Sequence, residues 1–285
     1  MTSNATSNGG RLPTIYLPHG GGPWPWMAPA FGLSEAEKRA LTAYLEGIVA
    51  TLPRRPRAMV VVSAHWEEPV ATVMSSPRPP LLYDYGGFPP EMYRLSWPAP
   101  GDPQLAARTR SLLEAAGFAT AADAERGFDH GTFVPLKLTF PDADVPAIQL
   151  SLLEGLDPAR HLALGRALAP LRDESVLLVG SGMSYHNMRD LVGGAPRETR
   201  AAKSAPFDDW LGRVAAADAR ERDAELVRWS AAPGARASHP REEHLLPLMV
   251  MAGATEEERG RVTYRDTYGG FRVSAVHFGG ADPSP

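Results

Sequence analysis

The chain has 285 residues, 44% of them hydrophobic and 22% charged, which is the composition of an ordinary soluble globular protein. Its 29 basic and 33 acidic residues give a net charge of -4 and no polybasic footprint for nucleic acid or anionic lipid, so the expected partner is a small molecule. Cysteine is absent, which excludes a disulfide framework, a thiolate metal site and a cysteine nucleophile; any metal must be held by His, Asp and Glu.

No run approaches the roughly 18 apolar residues of a membrane span. Met1 to Arg11 is polar and lacks the apolar core of a secretory signal, so a cytoplasmic protein with a short disordered head over residues 1–12 is expected. Proline (28) and glycine (27) are spread along the chain and not pooled in a linker. That favours one domain over residues 13–278 with long functional loops, followed by a short tail over 279–285.

Thr14 to Pro18 reads as a first strand and runs into His19. The stretch Gly20-Gly21-Gly22-Pro23-Trp24-Pro25-Trp26 is too rich in Gly and Pro for a regular element, and no Lys-Ser/Thr follows to make it a P-loop. A helix is expected from about Ser34 to Leu52, with Ser34 and Glu37 as a capping box and Leu41, Leu45, Ile48 and Leu52 on one face. It leads into Ala58-Met59-Val60-Val61-Val62-Ser63-Ala64-His65, an apolar run without alternation. Such a run reads as a strand buried on both faces, the pattern of a parallel sheet.

Val70 to Met74 reads as a short strand and Leu81 to Pro100 as a long loop dense in aromatics and proline, suited to a pocket wall or to packing on the core. Asp102-Pro103 and Asp157-Pro158 open two further helices by the N-cap and first-turn proline rule. His161 on the second is in register with Leu164 and Leu168 and reads as packing. Between these helices, Gly127-Phe128-Asp129-His130-Gly131 precedes an apolar helix start, and Val145 to Leu152 reads as a buried strand. Val176 to Gly182 is another, running on to His186. Phe207 to Trp229 reads as an outer helical stretch, Ser238 to Leu248 as the start of the last helix, and Val273 to Phe278 as a closing strand. His277 there is expected to be structural, since nothing polar accompanies it.

Ligands of open α/β sheets bind beyond the carboxyl ends of the strands, where His19, His65 and His186 fall. With His244 in an acid-rich segment, these neutral donors suit Fe(II), Mn(II) or Zn(II) with open positions for substrate and dioxygen or water.

Six collinear motifs resemble the 4,5-DOPA extradiol dioxygenase family, within the class III, LigB-like ring-cleavage enzymes. They are Pro18-His19-Gly20-Gly21-Gly22-Pro23, Ser63-Ala64-His65-Trp66, Tyr85-Gly86-Gly87-Phe88-Pro89, Gly127 to Gly131, Gly180-Ser181-Gly182 with His186-Asn187, and His239-Pro240 with Glu243-His244-Leu245-Leu246-Pro247. The resemblance implies a single α/β domain with a central, mostly parallel or mixed sheet flanked by helices. It also implies a mononuclear Fe(II) site, with Zn(II) possible in purified protein, that opens a catechol ring with O2. By that resemblance His19, His65 and His244 match the metal ligands, and His186 the acid/base and a possible fourth ligand. His130 matches an outer histidine that contacts substrate or dioxygen, and His239 a pocket residue. The wider superfamily uses a glutamate as third ligand, so Glu243 competes with His244 for that role. Trp24, Tyr85 and Phe88 are expected to wall the aromatic ring, and Tyr185 to narrow the pocket. A zinc-dependent hydrolase on the same scaffold, or a non-enzymatic LigB-like interaction protein, are the alternative functions. Monomer and dimer are both compatible with the sequence.

Overall fold

In the computed structural model, residues 11–28 and 32–280 are described. The expected tails over 1–12 and 279–285 lie outside them except for residues 11, 12, 279 and 280. Leu12, expected in the head, is fully buried, so the folded chain already includes it.

Eight strands form one mixed sheet: β1 Thr14–Pro18, β2 Ala58–Glu68, β3 Ala71–Met74, β4 Thr120–Asp123, β5 Ala147–Leu153, β6 Val176–Gly182, β7 Gly260–Tyr268 and β8 Phe271–Phe278. Their order is β4-β3-β5-β2-β6-β1-β8-β7. The central β5, β2, β6 and β1 are parallel, while β3 meets β5 and β8 meets β1 antiparallel. This is the expected α/β architecture. The β1–helix–β2 unit is not a neighbouring pair, however, because β6 inserts between its strands.

Alternate residues of the central strands feed two cores, which is why these strands carry no polar face. Val60, Val62, Ile148, Leu150 and Leu178 pack with the helices Pro103–Ala115, Pro158–Leu168 and Leu246–Gly253. Met59, Val61, Ala147, Leu177 and Val179 pack with Glu35–Gly47 and His130–Thr139. The first of these two helices starts at the expected capping box, and its Glu37 also accepts from Thr267 Oγ1 (2.6 Å) and Gly270 N (2.8 Å), tying it to the β7–β8 hairpin.

Three expectations are corrected. The outer helix begins at Arg197 and ends at Ala216, and Asp218 caps a separate helix, Ala219–Val227. The segment from His239 to Leu245 is a run of turns between Ala235–Ser238 and Leu246–Gly253, not a helix start. His277 has a polar partner, with Nε2 2.9 Å from Tyr44 Oη. Among the described residues no helix is long and apolar enough to cross a membrane.

Candidate metal centre and aromatic pocket

The carboxyl ends of β1, β2 and β6 meet at one cavity of about 200 Å3, lined by five histidines: His19, His65, His130, His186 and His244. A 150 Å3 apolar cavity holds a benzene ring, so about 200 Å3 suits one substituted ring. β1 delivers His19 directly, its N–H bonded to Gly182 O (3.1 Å) at the end of β6. His65 sits where β2 leaves its register with β5, between Val62 and Glu67, and such irregularities re-aim side chains beside active sites. The chain near His244 passes so close to β6 that a Cβ on Gly182 would lie 2.1 Å from His244 O. Only glycine fits there, and Met183 N (3.2 Å) and Tyr16 Oη (2.8 Å) both bond that carbonyl. Gly131 does the same for the helix bearing His130, since a Cβ there would meet Ser63 Oγ at 2.7 Å and His65 at 2.9 Å.

Each ring has a partner that orients it. Ser181 Oγ donates to Gly131 O and therefore accepts from His19 Nδ1 (2.9 Å), which leaves the His19 Nε2 lone pair facing the cavity. His244 Nδ1 bonds Glu243 Oε1 (2.9 Å), and its Nε2 is buried with no hydrogen-bond partner among the described residues. His130 Nδ1 bonds Asp84 Oδ1 (2.9 Å), which also accepts from the His130 backbone N–H (2.8 Å). Asp84 Oδ2 lies 3.7 Å from His65 Nδ1. His186 stacks on His244, ring centroids 3.3 Å apart, with its Nδ1 3.4 Å from the same Glu243 oxygen. Imidazoles held through Nδ1 by a carboxylate or hydroxyl are the usual support of metal-ligating histidines.

Burial, reinforced by the neighbouring imidazoles, holds His19 and His244 well below histidine's ordinary value and brings His65 down to about 4. These rings are neutral at physiological pH, with lone pairs free for a cation. Burial opposes ionisation of Asp84 and Glu243, but hydrogen bonding from His130 and His186 respectively outweighs it, and both stay below the usual carboxylate range.

The donor set fits a metal ion. His19 Nε2 and His65 Nε2 are 3.1 Å apart, close to the separation of about 3 Å between two nitrogens at right angles on a metal with bonds of 2.0–2.1 Å. Ligand atoms of His19, His65 and His130 lie within 4.8 Å of one another, as do those of His186, Glu243 and His244. The His244 ring bridges the two groups, with centroids 5.2 Å from His19 and 4.9 Å from His65. Of the ring nitrogens of these five histidines, His244 Nε2 is the one buried without a partner among the described residues, and an orphaned buried nitrogen is costly unless something binds it.

Around the rings, Tyr85 and Phe88 line the cavity as expected. Three other expected wall residues do not. Trp24 is buried beneath the glycine loop with Nε1 on His19 O (2.8 Å). Tyr185 is stacked on Phe271 with its hydroxyl on Asp190. His239 is enclosed by Phe207 and Trp229 with Nε2 on Ser184 O (3.0 Å). Large side chains next to a motif are drawn into the core under it because that is where most apolar area is removed from water. The sequence reading missed Met183, Met188, Leu191 and Tyr268, which complete the wall, and Asp84 and Ser181, which orient the histidines. Tyr268 ends β7, and the Gly269-Gly270 pair after it is a hairpin signal that would have exposed that strand.

A known enzyme family shares this fold and the strand-end position of the site. The family model for the catalytic LigB subunit of aromatic ring-opening dioxygenase matches residues 13–277, and the chain belongs to that family. It is 37% identical over 292 residues to the dioxygenase tasH of Hapsidospora irregularis, covering 98% of this chain and 89% of that protein. To the 4,5-DOPA dioxygenase extradiol of Portulaca grandiflora it is 42% identical over 219 residues, 75% of this chain and 78% of the relative. The Escherichia coli K12 enzyme of the same name is 36% identical over 245 residues, 86% of this chain and 85% of the relative. The crystal structure of an uncharacterized protein from Escherichia coli K12 superposes with a TM-score of 0.75 at 31% identity, covering 94% of this chain and all of that one.

Proposed function

We propose that the protein is a non-haem Fe(II)-dependent extradiol dioxygenase that opens a catechol ring with O2, the metal being held by His19, His65 and His244. The observation that carries this reading is the buried His244 Nε2, without a partner among the described residues, on a ring whose centroid lies 5.2 Å from that of His19 and 4.9 Å from that of His65. Imidazole donors suit Zn(II) as well as Fe(II), so zinc in protein purified in air is compatible with it. When bound, Fe(II) supplies the redox chemistry that lets dioxygen react with the ring, which protein side chains lack.

The chain's own groups do the rest. A catechol must lose a phenolic proton as it binds, and His186, with Nδ1 facing Glu243, offers its other nitrogen to the cavity as the base. In this reading Glu243 serves two rings from behind the metal, its Oε1 orienting His244 as a ligand and His186 as a proton acceptor. His130, held by Asp84, presents its free nitrogen to the same space and contacts substrate or dioxygen. Tyr85 and Phe88 confine the ring and exclude water.

The test is anaerobic loading with Fe(II), then catechol and oxygen in an oxygen-electrode cell. One O2 consumed per ring opened is expected, with none for the Zn(II)-loaded protein. An iron-loaded protein that consumes no oxygen with any member of a catechol panel would refute the reading.

A further inference from the structure

Relatives of this chain are named for a substrate that carries an amino-acid side chain, yet the described lining of the cavity has no cationic Lys or Arg to hold its carboxylate. Beyond the histidines its wall is Tyr85, Phe88, Met183, Met188, Leu191 and Tyr268, with no lysine or arginine among the described lining residues. Residues 1–10, 29–31 and 281–285, outside the description, contain no Lys or Arg either. Two guanidinium groups near the site in sequence are committed elsewhere. Arg126 bonds Asp129 and His65 O and lies over Trp66, and Arg241 places both terminal nitrogens on Glu67.

Backbone N–H groups can also form an anion nest, and the loop after β1 is the natural place for one. Three of its donors are spent: His19 N on Gly182 O, Gly20 N on Met183 Sδ (3.3 Å) and Gly21 N on Tyr268 Oη (2.8 Å). Behind the rings, Asp84 and Glu243 are fixed carboxylates that repel another anion. The short helix Met188–Val192 turns Met188 and Leu191, three residues apart, to the cavity, and Met188 is 47% exposed, so the apolar lining continues to solvent. Arg189 on that helix is not part of the lining.

We propose, building on the ring-opening reading above, that the ring this cavity accepts carries an uncharged, apolar substituent lying against Met188 and Leu191, in place of a carboxylate or amino-acid side chain. A carboxylate drawn against Met188 and Leu191 loses its hydration without gaining a cationic partner, and that penalty discriminates between substrates of equal size.

Two probes of matched skeleton test it, 4-propylcatechol and 3-(3,4-dihydroxyphenyl)propanoate, titrated anaerobically into the metal-loaded protein and followed by calorimetry. The propyl compound is expected to bind at least tenfold more tightly. Equal affinity, tighter binding of the acid, or binding of neither would overturn the proposal. In Met188→Arg the gap should narrow at least threefold, and an unchanged gap would overturn the placement of the substituent. If the propyl compound binds tenfold more tightly but is never opened with O2 by the iron-loaded protein, the substrate class stands and the ring-opening assignment falls.

Discussion

At the carboxyl end of the sheet, His244 is buried with one ring nitrogen on Glu243 and the other without a partner among the described residues, whereas His161, also buried, in the helical layer, uses both. His161 Nδ1 lies 2.7 Å from Asp157 O and its Nε2 accepts from Leu153 N (3.1 Å), so the ring staples a helix start to the end of β5. His277 likewise meets Tyr44. Burial lowers the pKa of all of them, His161 to about 4 and His277 to about 3, so a depressed value does not by itself mark a functional histidine here. What separates the two regions is the use of the second nitrogen. His239 tests that rule, because its Nδ1 is also unpartnered. It is closed off by Phe207 and Trp229 and does not line the cavity, so its lone pair faces no space that a ligand can enter.

The largest effect that would sharpen this comparison is loss of metal. His19→Ala, His65→Ala and His244→Ala are each expected to leave the purified protein with little bound metal, while His161→Gln and His130→Ala stay loaded, read by elemental analysis. A metal-free His130→Ala beside a loaded His244→Ala would exchange their roles. Next comes His186→Gln, expected to retain metal and lose roughly a hundred- to ten-thousand-fold in turnover, the usual contribution of a positioned acid–base group. Wild-type turnover there would remove His186 as the base. Smaller again is Glu243→Gln, where an amide keeps the shape but weakens the bond to His244 Nδ1. A drop of about 10- to 100-fold in metal affinity is expected, as for other groups that support ligands from behind. Complete metal loss in that variant, with His244→Ala still loaded, would make Glu243 the ligand.

His19, His65 and His186 were legible because each follows an apolar run, such as Met59-Val60-Val61-Val62 before His65, and such a run is local information. The capping acids Glu37, Asp102 and Asp157 are equally local and stand where the sequence puts them. The partners of the histidines were not legible, since Asp84 reaches His130 across 46 residues and Ser181 reaches His19 across 162. The missed strands have a common cause. β4 has no buried residue and β7 is buried only at its ends, so neither shows the apolar run that announces a central strand. The first turns of Arg197–Ala216 were missed because Arg197, Glu198 and Thr199 face solvent and carry no apolar period.

The smallest effect, and the one that separates structural from functional burial without any metal, is the pH dependence carried by His161. Burial lowers its pKa from 6.5 to about 4 in the folded protein. Between those values the unfolded chain binds a proton that the native ring refuses, so stability rises with pH across that window. The contribution is fully present above about pH 6.5 and is lost as pH falls toward 4, amounting to about 3 kcal/mol for a shift of this size. His161→Gln cannot make both of the ring's bonds and should cost about 1–2 kcal/mol at pH 7.5. Because glutamine does not titrate, the gap between variant and wild type should shrink and then reverse as the pH is lowered from about 6.5 to about 4.5, measured by urea unfolding of the metal-free proteins. A gap that stays constant across that range would show that His161 is not held neutral by burial, and the distinction drawn between the two sets of histidines would lose its electrostatic half.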